Sequence, residues 1–86
     1  MNIHVAGLSA NISEEDLRTL FAAYGEVSFV VLVRDPVNGR SRGQAFVEMP
    51  VHVQGEQAVY ALNKMLIDGR PLSVRAIEYK PGEFNN

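Results

Sequence analysis

The chain has 86 residues, enough for one domain with a single core and too few for a second. Hydrophobic residues make up 47% and charged ones 21%, which excludes a disordered or collagen-like chain, and the absence of cysteine excludes a disulfide framework and a thiolate metal site. Eight Lys and Arg against ten Asp and Glu leave a net charge of −2, so a polyanionic partner would need a local basic patch or stacking contacts rather than the field of the whole protein.

In chain order, Ile3, Val5 and Leu8 alternate with His4 and Ala6, the two-residue period of a short strand. Ser13 then offers a helix N-cap, followed by Glu14, Glu15 and Asp16 in a first turn where acidic groups complement the dipole. Leu17, Leu20, Phe21 and Tyr24 fall on one face of a helix of about three turns, with Gly25 placed for a left-handed C-terminal residue. The nearly all apolar, largely β-branched run over 27–33 predicts a second strand, and Asp35-Pro36 with Asn38-Gly39 predicts a loop over 35–41. Ala45, Val47 and Met49 alternate with Gln44, Phe46 and Glu48, a third strand paired in a hairpin with the second and stopped by Pro50. A second helix is expected over 53–65, with Ala58, Leu62 and Met65 on its inner face. Asp68-Gly69 turns the chain, and Leu72, Val74 and Ala76 alternate through a last strand.

The order β-α-β-β-α-β predicts an α+β, ferredoxin-like sandwich: a four-stranded antiparallel sheet with both helices on one face. The opposite face then has no helix to cover it. If Ile3, Val5, Ala45 and Val47 point at the helices, His4, Gln44, Phe46 and Glu48 point away from them. The second strand has no contrast between faces; the register adopted turns Val30 and Leu32 inward and Phe29, Val31 and Val33 outward. Ser73, Arg75 and Ile77 are outward on the last strand. An exposed Phe flanked by His and Arg is the composition of a base-stacking surface.

These residues resemble the RNA recognition motif (RRM) family from Met1 to about Tyr79. The octamer Arg42-Gly43-Gln44-Ala45-Phe46-Val47-Glu48-Met49 matches the family pattern [RK]-G-[FY]-[GA]-F-[VI]-x-[FY] at Arg42, Gly43, Ala45, Phe46 and Val47, and Ile3-His4-Val5-Ala6-Gly7-Leu8 is similar to its first-strand hexamer. The stretches 35–43, 58–63 and 68–72 resemble its central loop, second helix and final turn, and the short form resembles the single-domain RRM proteins of bacteria. The resemblance implies one domain over 1–79, with 80–86 as a flexible tail, and single-stranded RNA as the partner, with single-stranded DNA as an alternative. It also implies base stacking at two octamer positions and one hexamer position. Here those positions hold Gln44, Phe46 and His4, so one strict aromatic remains. Stacking contributes about 1–3 kcal/mol per base, so losing two platforms outright would cost roughly 2–6 kcal/mol. His4 still offers a ring and Gln44 an edge contact, and the expectation is weak binding with modest sequence preference.

In this reading Phe46 is the main platform, or else one half of a protein contact. His4 is a second platform or, when protonated, a phosphate contact, and Gln44 is a base-edge contact or a solvated polar residue. Arg42, Arg40, Arg75 and Lys80 are the phosphate contacts. The alternative reading is a protein-interaction module in which Phe29, Val31 and Val33 form an apolar contact or self-association strip on an outer strand. No catalysis, cofactor or metal is expected. Residues 8–12 lack the glycine-rich, arginine-bearing loop of an acylphosphatase-like enzyme, and only His4 and His52 could supply imidazole to a metal. No apolar run approaches the roughly 20 residues of a membrane helix and no secretion signal is visible, so no membrane partner and a cytoplasmic location are expected.

Overall fold

The computed structural model describes residues 1–77. Its elements run β1 (Asn2–Ala6), α1 (Glu14–Ala22), β2 (Phe29–Arg34), β3 (Ser41–Glu48), α2 (His52–Leu62), β4 (Leu66–Ile67), β5 (Arg70–Pro71) and β6 (Ser73–Ile77). Four of the strands form one antiparallel sheet in the order β2-β3-β1-β6. The expected sandwich is therefore present, with β1 and β3 in the centre and β2 and β6 at the edges.

Register explains which residues make the core. Across the sheet Val30 pairs with Val47, Val47 with Ile3, Leu32 with Ala45, Ala45 with Val5, and Val5 with Val74. Side chains directly opposite one another share a face of the pleat. Ile3, Val5, Leu32, Ala45, Val47 and Val74 are all buried, in one cluster with Leu17 and Phe21 of α1 and Ala58 and Leu62 of α2. Val30 is half-buried against that cluster. The inward register adopted for the second strand is the observed one.

Helix α1 begins as its residues dictate. Ser13 Oγ accepts from the Asp16 amide at 3.0 Å, and the Asp16 carboxylate accepts from the Ser13 amide at 3.0 Å, a reciprocal capping box. These two bonds, the Ser13 amide first and the Ser13 hydroxyl contact second, hold the Asp16 carboxyl below its ordinary value. At the other end the C-cap is Ala23 in a right-handed conformation, which corrects the placing of Gly25 as the left-handed terminal residue. Gly25 lies two residues further on, where a Cβ would run into the Gln54 side chain.

The second helix corrects the sequence reading further. It ends at Leu62, because Asn63 is extended and Lys64 takes φ +72°, not at Met65. The i, i+3 step from Leu62 to Met65 therefore leaves the helix, and Met65 is 40% exposed rather than core. Leu20 and Tyr24 are half-buried at the margin of the core. The second strand starts at Phe29 rather than Val27, and the third reaches back to Ser41 through Gly43. Gly43 has φ +76°, and a Cβ there would stand 2.9 Å from the Leu8 carbonyl oxygen. It sits where the β2–β3 register shifts between Leu32 and Arg34. The Asp68-Gly69 turn belongs to a small hairpin of β4 and β5, with φ +53° and +74°. The predicted tail 80–86, with Lys80, and Tyr79 lie outside the described residues.

Removing the Ser13 hydroxyl tests the cap. Ser13→Ala is expected to lower stability by about 1 kcal/mol in a denaturant titration. It is also expected to raise the Asp16 carboxyl toward its ordinary value in an NMR titration. Because the folded carboxyl sits low, its contribution is present at neutral pH and is lost as pH falls through its lowered value. A variant with unchanged stability and an unchanged Asp16 titration would show that the box contributes nothing.

Candidate functional site

The pairing that buries one set of side chains lines up the other set on the helix-free face. Val31 pairs with Phe46, Phe46 with His4, and His4 with Arg75, so four strands contribute one continuous row. Phe46 is 38% exposed and Val31 49%, Arg75 is exposed, and His4 is half-buried between its neighbours. The His4 and Phe46 rings stand with centroids 5.2 Å apart at an interplanar angle of 50°. That tilted contact, typical of ring pairs, holds both rings in place on the pleat.

Gln44 lies two residues from Phe46 on β3, opposite Ala6, and is diagonal to His4. His4 Nε2 and Gln44 Oε1 are 3.1 Å apart. His4 Nδ1 is buried with no hydrogen-bond partner among the described residues. The parallel row is Phe29, Glu48, Asn2 and Ile77. Sequence reasoning gave Glu48 and Asn2 no role, although the alternation through Phe46 and His4 places both on this face. The Glu48 carboxylate accepts from Ser28 Oγ at 2.7 Å and makes this end of the face negative.

Arg34, Arg40 and Arg42 stand off that row. The turn at 35–40 is closed on itself: Asp35 accepts from the Val37 amide at 2.8 Å and the Asn38 amide at 3.2 Å, and Asn38 accepts from the Arg40 amide at 2.9 Å. Those bonds, the Val37 amide first and the Asn38 amide next, hold the Asp35 carboxyl below its ordinary value against a raising effect of burial. Arg42 adds a smaller lowering from 3.4 Å. Arg42 therefore rests on an ionised carboxylate. Arg34 is 3.8 Å from Glu14 and donates to the Gly39 carbonyl. Arg40 and Arg75 are exposed and make no ion pair among the described residues.

Of the apolar strip on β2, Phe29 and Val31 are exposed while Val33 is only half-exposed, beside the register shift. This strand is an edge, and an edge offers unpaired amides to a second strand. Here the Leu32 amide donates to Glu14 Oε2 at 2.9 Å. A side chain of α1 thus blocks one of the edge donors. Glu14 reads from the sequence as a helix-dipole residue, and nothing local signals this contact to a strand 18 residues away.

Three comparisons place the chain among known proteins. The family model for the RNA recognition motif matches residues 3–73. RbpD of Nostoc sp., a protein named for RNA binding, is 45% identical over 83 residues, which is 96% of this chain and 86% of that protein. The crystal structure of RNA binding protein PG1 superposes with a TM-score of 0.89 at 37% identity, covering 94% of this chain and 98% of that one. The Sex-lethal protein in complex with RNA superposes with a TM-score of 0.81 at 37% identity, over 86% of this chain and 46% of that one. The chain spans 25% and 22% of the full Sex-lethal proteins that it matches in Megaselia scalaris and Drosophila melanogaster.

Replacing the edge block should be visible at one amide. In Glu14→Ala the Leu32 N–H loses its acceptor, and its hydrogen exchange is expected to accelerate roughly tenfold while the central β1 amides keep their rates. Unchanged exchange at Leu32 would show that the carboxylate does not protect the edge.

Proposed function

This chain belongs to the RNA recognition motif family, and from that premise we propose that it binds single-stranded RNA across the helix-free face of its sheet, as one domain over 1–79. The observation that carries the proposal is the row Val31–Phe46–His4–Arg75, in which a partly exposed ring on a central strand stands beside a second ring, with a cation beyond that ring. Phe46 is the main platform, on which a base lies flat. His4 supplies a smaller second surface, and Gln44 reaches the edge of a stacked base. Arg40, Arg75 and Arg42 take phosphates, with Arg42 drawn off Asp35 as it does so. The Sex-lethal–RNA complex supports the reading, since a chain of the same fold and 37% identity engages RNA there.

Binding is weak and its sequence preference modest. One strict aromatic stands where the family pattern has three, the net charge is −2, and Glu48 repels phosphate at the Phe29 end of the face. The sugar-phosphate backbone therefore crosses the Arg75 side and the 35–42 loop, away from Glu48. A protein contact through Phe29 and Val31 is the second reading, favoured by their exposure. Glu14 on the Leu32 amide opposes its strand-pairing form.

An NMR titration with short mixed-sequence RNA at low salt separates the two. Shifts centred on His4, Gln44 and Phe46 are expected. Phe46→Ala should weaken binding by about five- to 150-fold, the equivalent of one stacked base. With three arginine contacts, log K should fall against log salt with a slope of about −2. Saturating RNA that leaves these residues unmoved would overturn the reading. Concentration-dependent shifts confined to 29–34 would establish the strip as the functional surface instead.

A further inference from the structure

Phe29 and Glu48 stand directly opposite each other on β2 and β3, on the helix-free side of the sheet. Opposed side chains start about 5 Å apart at Cβ, and the diagonal from Phe29 to Phe46 is roughly 7–8 Å, which one nucleotide linkage spans. Phe29 is as exposed as Phe46. The residue before it anchors the acid: Ser28 Oγ donates to Glu48 Oε1 at 2.7 Å, and the Ser28 amide donates to the Glu48 carbonyl at 2.9 Å. The carboxylate is thereby held at the Phe29 end of the face. Among the described residues it has no cation within ion-pairing distance, and Oε2 accepts no bond.

A carboxylate has acceptors and no donor. Both of its oxygens keep free lone pairs, so what it offers a ligand does not depend on how the group is rotated. With the phosphates on the Arg75 and loop side, a base lying on Phe29 points its Watson–Crick edge, away from the sugar, toward Glu48. Cytosine, adenine and guanine each carry an amino group on that edge. Uracil sets the carbonyl oxygen O4 where cytosine has its N4 amino group, and its one donor, N3–H, lies between two carbonyl oxygens. An amino group against a carboxylate makes a charge-assisted hydrogen bond, whereas a carbonyl oxygen there is repelled. We propose that Phe29 and Glu48 form a second base subsite, which takes an amino-bearing base and rejects uracil. The subsite rests on the RNA-binding reading. It gives Phe29 to the RNA rather than to a protein contact, and it gives the acid that repels phosphate a base edge to meet.

The test uses the whole chain and short RNA homopolymers of cytidine, uridine and N4,N4-dimethylcytidine, in which every register presents the same edge. The cytidine probe should bind about tenfold more tightly than the uridine probe. Dimethylation, which deletes both amino hydrogens, should abolish that gain. This comparison needs no variant. Glu48→Gln keeps the size of the side chain but can donate as well as accept, and should reduce the ratio to about twofold or less, chiefly by tightening uridine. Phe29→Ala should weaken the cytidine probe by about five- to 150-fold, the equivalent of one stacked base. In the wild-type chain, the Phe29 ring and the Glu48 carboxyl carbon should shift as cytidine is added. Equal affinity for cytidine and uridine, a ratio unchanged by Glu48→Gln, or RNA-induced shifts that bypass Phe29 would each overturn the subsite while leaving RNA binding at Phe46 intact. No binding to any probe would instead remove the RNA-binding reading itself.

Discussion

Residues paired across an antiparallel sheet share a face, and the layout of the open face of this protein follows from that constraint. The pairing of Ile3 with Val47, and of Val5 with both Ala45 and Val74, sends those side chains under the helices. It leaves His4, Phe46 and Arg75 no direction but outward. The core and the open face are thus two readings of one register, and a slip of a single residue in β1 or β3 would exchange them. Burial of the apolar set supplies the driving force, and the backbone it orders carries the polar and aromatic set with it.

Rigidity at the centre contrasts with compensation at the edges. On the central strands the rings of His4 and Phe46 brace each other, and Gln44 is tied to His4. Toward β2 the charges are mostly paired: Arg34 with Glu14, Arg42 with Asp35, and the Leu32 amide on Glu14. Pairs this exposed contribute little stability, yet they decide which cations are available without first breaking a contact. The basic character of the site is therefore narrower than the number of arginines suggests. Arg40 and Arg75 carry it, and the arginine inside the family octamer is partly spoken for by a loop aspartate held ionised by backbone amides.

Much of this was legible in the residues. Alternation in 3–6 and 44–49, the Ser13 cap with its acidic turn, and the turn pairs Asp35-Pro36 and Asp68-Gly69 each signal their element by local chemistry, and the octamer around Phe46 signals the family. What escaped were features set by non-local contact. Helix α2 stops at Leu62 because Lys64 turns left-handed, and periodicity alone carried Met65 into the core. Asp-Gly between Leu66-Ile67 and Arg70-Pro71 builds a hairpin of its own, where the sequence signals only a turn. The run over 27–33, apolar but for Ser28, could not reveal that the strand begins at Phe29, because only pairing with β3 marks the start.

The sequence by itself determined the order of elements, the family, and the identity of the ring at the middle of the open face, since these depend on local propensity and on alternation along single strands. The tertiary structure decided which side chains stand beside that ring, which arginines are already engaged, and which nitrogen of His4 meets Gln44. The reason is physical. Alternation assigns a side chain to a face, but neighbours across a face come from strands far apart in the chain, His4 lying 40 residues from Gln44 and 71 from Arg75, and only the closed register brings them side by side.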